Sequence, residues 1–151
     1  MTVCVAVKVY DCIVFAADSA SSLIGNDPIT GAATIANVYA HGIKVFNLRK
    51  GLPIAAMTCG MGNIGAMSIG TLAKELRERY TNGDENWRLG DGYTMEEVAE
   101  KARRFFFEEH YQALADKPAG DHELQFWLGG NGAKETHGEI WRITILNGVC
   151  N

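Results

Sequence analysis

The sequence has few of the features that mark disulfide-rich or metal-dependent proteins. Its four cysteines form no CxxC pair, and a chain of 151 residues has room for a proper core. No disulfide framework is therefore expected, which favours a reducing cytoplasm. Cys4, Cys12 and Cys59 lie within apolar runs and are predicted to be small core residues. The four histidines match no metal-ligand spacing, so we expect neither a metal nor another cofactor.

Long apolar runs and extended basic clusters are also missing. No run of 18 apolar residues is present, so no membrane span is expected, and the start of the chain lacks the pattern of a secretory signal. The net charge of −4 argues against nucleic acid as a main partner, and the basic pairs Arg49-Lys50 and Arg103-Arg104 are short. Residues 1–151 are expected to form a single soluble domain without a nucleic-acid or membrane partner.

The hydrophobic pattern predicts strands at both ends of the chain and two helices between them. We expect a hairpin of strands 3–9 and 12–17 buried on both faces, a second hairpin of strands 35–40 and 43–48 around His41-Gly42, and further strands at 52–58, 124–128 and 138–146. Helices are predicted over 63–80, with Lys74 facing outward, and from a capping box at Thr94 to about residue 113, with turn residues at 117–120. This order predicts an α+β domain of antiparallel sheets with helices packed on the outside.

Thr2 is the first candidate for chemistry. Removal of Met1 would make it the N-terminal residue, with a hydroxyl nucleophile and a free α-amine on the same residue. The amine, whose pKa is about 7.7–8.0 in model peptides, could act as the general base for the hydroxyl, so no histidine would be needed.

Asp18 and Lys44 are the next candidates. Asp18 ends the second predicted strand, and the hairpin would return it beside Thr2. Alone, Asp18 fits a solvated strand end, and Lys44 fits an exposed face of its apolar run. The alternative is a partly buried Lys44 paired with a carboxylate, whose charge would disfavour protonation of a nearby amine and stabilise a nearby anionic oxygen.

Residues 60–65 form a GxGxxG pattern between a predicted strand and a predicted helix. Such a junction binds pyrophosphate in dinucleotide-binding domains, but the expected second parallel strand and its acidic residue do not follow. An oxyanion hole suits the same geometry, because helix-terminal amides stabilise an acyl oxyanion as they do a phosphate. A third interpretation is that Gly62 and Gly65 lie in a tight turn whose backbone conformation requires glycine.

These residues together resemble the proteasome β-subunit and bacterial HslV peptidase group of N-terminal nucleophile hydrolases. The resemblance covers residues 2–145 and rests on Thr2, the AADS segment with Asp18, the IKVF segment with Lys44, and the CGMG and LGGNG segments. It implies a layered sandwich of antiparallel sheets with helices outside. The family continues beyond the LGGNG strand, so the resemblance also implies a domain that is incomplete at its C-terminal end.

The resemblance assigns roles to four residues and names partners. Thr2 would attack a peptide carbonyl, Lys44 would tune it, Asp18 would hold Lys44, and the Gly60 amide would stabilise the oxyanion. It implies a threonine peptidase or related amidohydrolase in a homo-oligomeric ring, with a peptide or small amide substrate and a regulatory ATPase as a further partner.

Strand alternation suggests four residues that line the substrate site, namely Ser21, Gly42, Phe46 and Thr58. A catalytically silent, proteasome-like structural subunit is one alternative function, and a nucleotide-binding domain that uses the loop of residues 60–65 is a second, less favoured one. Retention of Met1 would favour the silent subunit, because an acylated Thr2 has no free amine to serve as base.

Overall fold

The computed structural model describes residues 2–27, 29–117 and 122–151 and has an α+β architecture with antiparallel sheets. The strands are β1 (Cys4–Lys8), β2 (Ile13–Ala17), β3 (Ser21–Asn26), β4 (Ala33–Tyr39), β5 (Val45–Asn47), β6 (Ile54–Gly60), β7 (Asn63–Ile64), β8 (Met67–Ser68), β9 (Leu124–Gly130), β10 (Glu139–Leu146) and β11 (Val149–Cys150). The helices are α1 (Ile69–Asn82) and α2 (Met95–Arg103), and α2 continues as a π-helix (Arg104–Tyr111).

A five-stranded antiparallel sheet carries the core. Its order is β11-β10-β9-β6-β5, so β6 and β9 lie inside it. Leu124, Phe126 and Leu128 alternate along β9 and are fully buried on the face that meets the helices. The ring of Phe106, on the π-helix, lies 4.4 Å from the ring of Phe126. The helices therefore cover one face of this sheet, and the predictions of the strands at 52–58, 124–128 and 138–146 are confirmed to within a few residues.

The hairpin of β1 and β2 packs on the opposite face of the sheet. Phe15 and Ile13 contact the backbone at Gly129, where an added Cβ would lie 2.6 Å from Phe15 Cζ. The hairpin itself is confirmed, with Cys4 opposite Ala17. Its expected burial on both faces is wrong, because alternate residues such as Val5 point away from the sheet and are exposed.

The second predicted hairpin is also wrong. β4 pairs with β3, with Tyr39 opposite Ser21, whereas β5 pairs with β6, with Val45 opposite Met57. Residues 40–44 therefore cross between two sheets. Apolar runs of this kind can pair with more than one strand. The strand β6 is buried, so β5 gains a more buried partner by pairing with β6 than it would by pairing with β4.

The first helix begins later than the sequence predicts. Residues 63–68 form the small hairpin of β7 and β8, and α1 begins at Ile69 after Ser68, whose Oγ accepts a hydrogen bond from the Thr71 backbone N–H at 3.1 Å. Ser68 is a standard N-cap residue, and its capping supports the later start.

The second helical region follows the prediction closely. Thr94 Oγ1 accepts a hydrogen bond from the Glu97 N–H at 3.1 Å, and helical structure runs to Tyr111 through the π-helix. Of the turn predicted at 117–120, residues 118–120 lie outside the described residues.

The cysteines only partly follow the expectation. All four are free; Cys4 and Cys59 are half-buried, but Cys12 is exposed, so its assignment to the core is wrong. Cys12 belongs to the turn before β2, where neither layer covers it. In the part of the chain that the structure describes, no helix is both long and apolar enough to cross a membrane.

Candidate active site

The open end of the β1–β2 hairpin brings Thr2 and Asp18 together. The Asp18 backbone N–H donates to the Val3 carbonyl at 3.0 Å, which extends the ladder beyond the two strands. In return, the Val3 N–H donates to Asp18 Oδ1 at 2.9 Å. The carboxylate is thereby fixed beside the residue that follows Thr2.

Lys44 joins these two residues. Its Nζ lies 3.0 Å from Asp18 Oδ1 and 3.2 Å from Thr2 Oγ1, and it also donates to the Ala20 carbonyl at 2.5 Å. The Lys44 side chain is only 9% exposed. An ammonium buried to this extent is costly unless paired, and here each of its three donors has an acceptor. Because Lys44 donates to Thr2 Oγ1, the Thr2 hydroxyl proton remains available for transfer to a base.

The charge on Asp18 is secured by the same contacts. The hydrogen bond from Lys44, followed by that from the Val3 N–H, lowers the pKa of Asp18 below its ordinary value. Asp18 is therefore ionised at neutral pH and balances the ammonium of Lys44.

The backbone at and just before Lys44 is hydrogen-bonded to two other segments of the chain. Its carbonyl accepts a hydrogen bond from the Thr58 N–H at 2.9 Å, which ties it to β6. Two residues earlier, the Gly42 N–H donates to the Ser19 carbonyl at 2.8 Å. A Cβ at Gly42 would overlap Ser21 Oγ and lie 3.1 Å from the Ser19 carbonyl oxygen, so this close approach favours glycine.

Gly60 lies at the end of β6 with a φ of +88°. An added Cβ would overlap the Glu123 carbonyl, and the left-handed backbone also favours glycine. The Thr58 N–H points towards Lys44, and alternation along β6 directs the Gly60 N–H to the same side. The Gly60 amide therefore points to the edge of β6 on which the Lys44 backbone lies.

The predicted strand-to-helix junction at residues 60–65 is wrong. β7 and β8 intervene, and α1 begins only at Ile69, so Gly60 is not at a helix N-terminus. Gly65 has a φ of +57° in the turn between β7 and β8, which supports the reading of this glycine as a turn residue.

A cavity of about 740 Å³ opens beside these residues. Thr2, Lys44 and Gly60 line it, whereas Asp18 lies behind Lys44 and does not. The four residues suggested for substrate binding also line this cavity, namely Ser21, Gly42, Phe46 and Thr58.

A second wall of the cavity was not predicted from the sequence. It is formed by the start of α1, with Ser68, Gly70, Thr71 and Lys74, and by His41 and Met61. Lys74 is exposed as predicted, and it also lines the cavity. The signal available in the sequence was the position of Lys74 four residues after Gly70 and three after Thr71, which brings its side chain close to each of them on the helix surface.

Cys4 is one of the thiols close to the site. Its Sγ donates to the Thr58 carbonyl at 3.4 Å. Burial, followed by the neighbouring Cys59, raises the pKa of Cys4 to about 11. The thiol therefore stays protonated at neutral pH, and only the thiolate is a strong nucleophile. Thr2, by contrast, lines the cavity, and Cys4 does not.

Comparison of the chain with protein-family models gave no match, and comparison with curated proteins gave none either.

Proposed function

We propose that the protein is a threonine-type peptide or amide hydrolase that uses Thr2, freed by removal of Met1, as its nucleophile. The observation that carries the proposal is the position of Lys44 Nζ, within hydrogen-bond distance of both Thr2 Oγ1 and Asp18 Oδ1 at the wall of a large cavity. A nucleophile, an electrostatic partner and an orienting group are the three parts that covalent catalysis requires.

In the first half of the reaction, Thr2 Oγ attacks the amide carbonyl carbon and its proton passes to the Thr2 α-amine. The nearby charge of Lys44 disfavours protonation of that amine at rest and stabilises the developing negative charge on Oγ. The oxygen of the tetrahedral intermediate accepts a hydrogen bond from the Gly60 N–H.

The intermediate then collapses. The carbon–nitrogen bond breaks, and the leaving amine takes the proton held by the Thr2 ammonium, which leaves an ester on Thr2. Water attacks this ester and gives its proton to the α-amine. Cleavage of the ester bond releases the carboxylic acid, and the proton returns to Thr2 Oγ.

The proposal extends to architecture and assembly. The sheet packed between the helices and the β1–β2 hairpin fits the layered sandwich of N-terminal nucleophile hydrolases. We further propose a homo-oligomeric ring, because Val5 and other apolar residues on the outer hairpin face are exposed in the single chain. A regulatory ATPase and a cytoplasmic location remain part of this proposal.

The decisive experiment compares two substitutions at one position. Thr2→Ala removes the attacking oxygen but keeps the amine, so turnover of a fluorogenic peptide should fall to background. Thr2→Ser keeps both groups and should retain measurable turnover. Thr136→Ala, in an exposed loop, is the matched control and should leave activity unchanged.

Intact-mass measurement of the active protein completes the test, since the mechanism needs a chain that begins at Thr2. Unchanged hydrolysis by folded Thr2→Ala protein would reject the proposal. Hydrolysis by protein that retains Met1 throughout would reject it equally, because the acylated amine could not act as a base.

A further inference from the structure

The charges around the cavity are unequal. Among its described lining residues, Lys44 and Lys74 carry positive charges and His41 adds an imidazole, while none is an aspartate or a glutamate. The carboxylate of Asp18, which does not line the cavity, forms an ion pair with Lys44 and offsets its positive charge. The charge of Lys74 therefore dominates the side of the cavity that α1 forms, and a cleft lined by one sign of charge concentrates ligands of the other sign.

The position of Lys74 on α1 directs it to the cavity. Side chains of a helix tilt towards its N-terminus, so Lys74 reaches back over Gly70 and Thr71, which lie one turn earlier and line the same cavity. Gly70 has no side chain to obstruct that path. A Cβ at Gly70 would lie 3.9 Å from Phe46, which lines the same cavity.

Lys74 makes no ion pair within 4.0 Å in the described ranges 2–27, 29–117 and 122–151. Glu78, one turn further along α1, instead accepts a hydrogen bond from the side chain of Asn82. Elsewhere on α1, Arg79 is paired with both Glu75 and Glu109, whereas Arg77, like Lys74, makes no ion pair with the described residues.

We propose that the cavity selects peptides with a carboxylate side chain and that Lys74 is the specificity-determining residue that binds this carboxylate. The inference rests on the proposed hydrolase function, since it takes the cavity to be the site that holds the peptide. The apolar Phe46 and Ile69 in the same walls would contact the methylene groups of the acidic side chain.

The test measures binding separately from hydrolysis. Thr2→Ala protein is titrated with blocked peptides in which a single glutamate is moved through successive positions of a glutamine background. We expect one position at which glutamate binds about tenfold more tightly than glutamine at low salt, as an ion pair in a partly solvated cleft would give. Lys74→Gln should remove this preference, and Lys74→Glu should replace it with a preference for lysine at the same position.

Lys50→Glu is the matched control, because it makes the same change of charge on an exposed residue that does not line the cavity. It should leave the glutamate preference in place, and circular dichroism checks that each variant is folded. Equal affinity at every position, a preference that survives Lys74→Glu, or no binding of any peptide would overturn the inference.

Hydrolysis of the same peptides by protein with Thr2 intact separates the two proposals. Turnover without a glutamate preference would overturn the role of Lys74 and leave the hydrolase standing. A glutamate preference in binding that depends on Lys74, with no turnover of any peptide, would reject the hydrolase and leave carboxylate recognition standing.

Discussion

The β1–β2 hairpin and the strands β6 and β9 are built from similar apolar residues but are buried to very different extents. β6 and β9 lie inside the five-stranded sheet, with the helices on one face and the hairpin on the other. The hairpin is covered on one face only. Its outward-facing valines are exposed, namely Val3, Val5, Val7 and Val14.

The candidate active site lies where these two regions meet. Thr2 and Asp18 belong to the hairpin, and Thr58 and Gly60 belong to the buried strand β6. Lys44 contacts both regions, because its Nζ donates to Thr2 and Asp18 and its carbonyl accepts from the Thr58 N–H. The comparison indicates that the stability of the fold and the chemistry of the site depend on largely separate residues. Functional sites are commonly held in this way at the edge of a rigid scaffold.

The largest expected effect on stability is in the covered region. Phe106 is fully buried against Phe126, so Phe106→Ala should lower the free energy of unfolding by about 3–5 kcal/mol. Val5 is 47% exposed on the hairpin, so Val5→Ala should cost less than about 0.5 kcal/mol. Urea unfolding at low protein concentration measures both.

A cost for Val5→Ala close to that of Phe106→Ala would contradict the comparison. If that cost appeared only at high protein concentration, the outer face of the hairpin would be covered by another copy of the chain in solution.

The next effect concerns activity rather than stability. Lys44→Ala should reduce kcat/KM on the order of a hundredfold or more, because electrostatic and general-base contributions are each worth about 10²–10³. Asp18→Asn should act through Lys44, so the double variant should be little worse than Lys44→Ala alone. Kinetics on a fluorogenic peptide give the three values.

Lys8→Ala is the control for this series, since Lys8 lies exposed on the same hairpin and should leave kcat/KM unchanged. Independent losses at Asp18 and Lys44 that simply multiply in the double variant would show that the two residues do not act as a unit.

The smallest expected effect is the pH dependence that Asp18 contributes. Its pKa is lower in the folded chain than the ordinary value of 3.8, so the ionised carboxylate stabilises the fold above that value. This contribution is lost as the pH falls through the lowered pKa. The difference in unfolding free energy between the wild type and Asp18→Asn should therefore be steady well above pH 3.8 and shrink as the pH is lowered from 3.8 through the lowered pKa, as measured by urea unfolding.

Asp91→Asn, in an exposed loop, provides the comparison for this measurement. A difference between the wild type and Asp18→Asn that stayed constant across this range would mean that the Lys44 contact does not stabilise the charged form of Asp18.

The sequence by itself determined the features that depend on neighbouring residues. The β1–β2 hairpin follows from two apolar runs around a short turn, and the start of α2 follows from the hydroxyl of Thr94 and its position before the helix. The meeting of Thr2 and Asp18 is a consequence of the same hairpin, because an antiparallel pair returns its second end to its first.

Only the tertiary structure decided which strands pair across longer separations. The run at 43–48 suits several partners, and its pairing with β6 depends on what the helices bury. That pairing positions Lys44, since the Lys44 carbonyl accepts its hydrogen bond from Thr58. The position of Lys74 at the cavity also depended on the tertiary structure. Helical spacing predicts which residues lie on the same face of α1 as Lys74. The β7–β8 hairpin, however, sets where α1 begins and therefore which wall of the cavity that face forms.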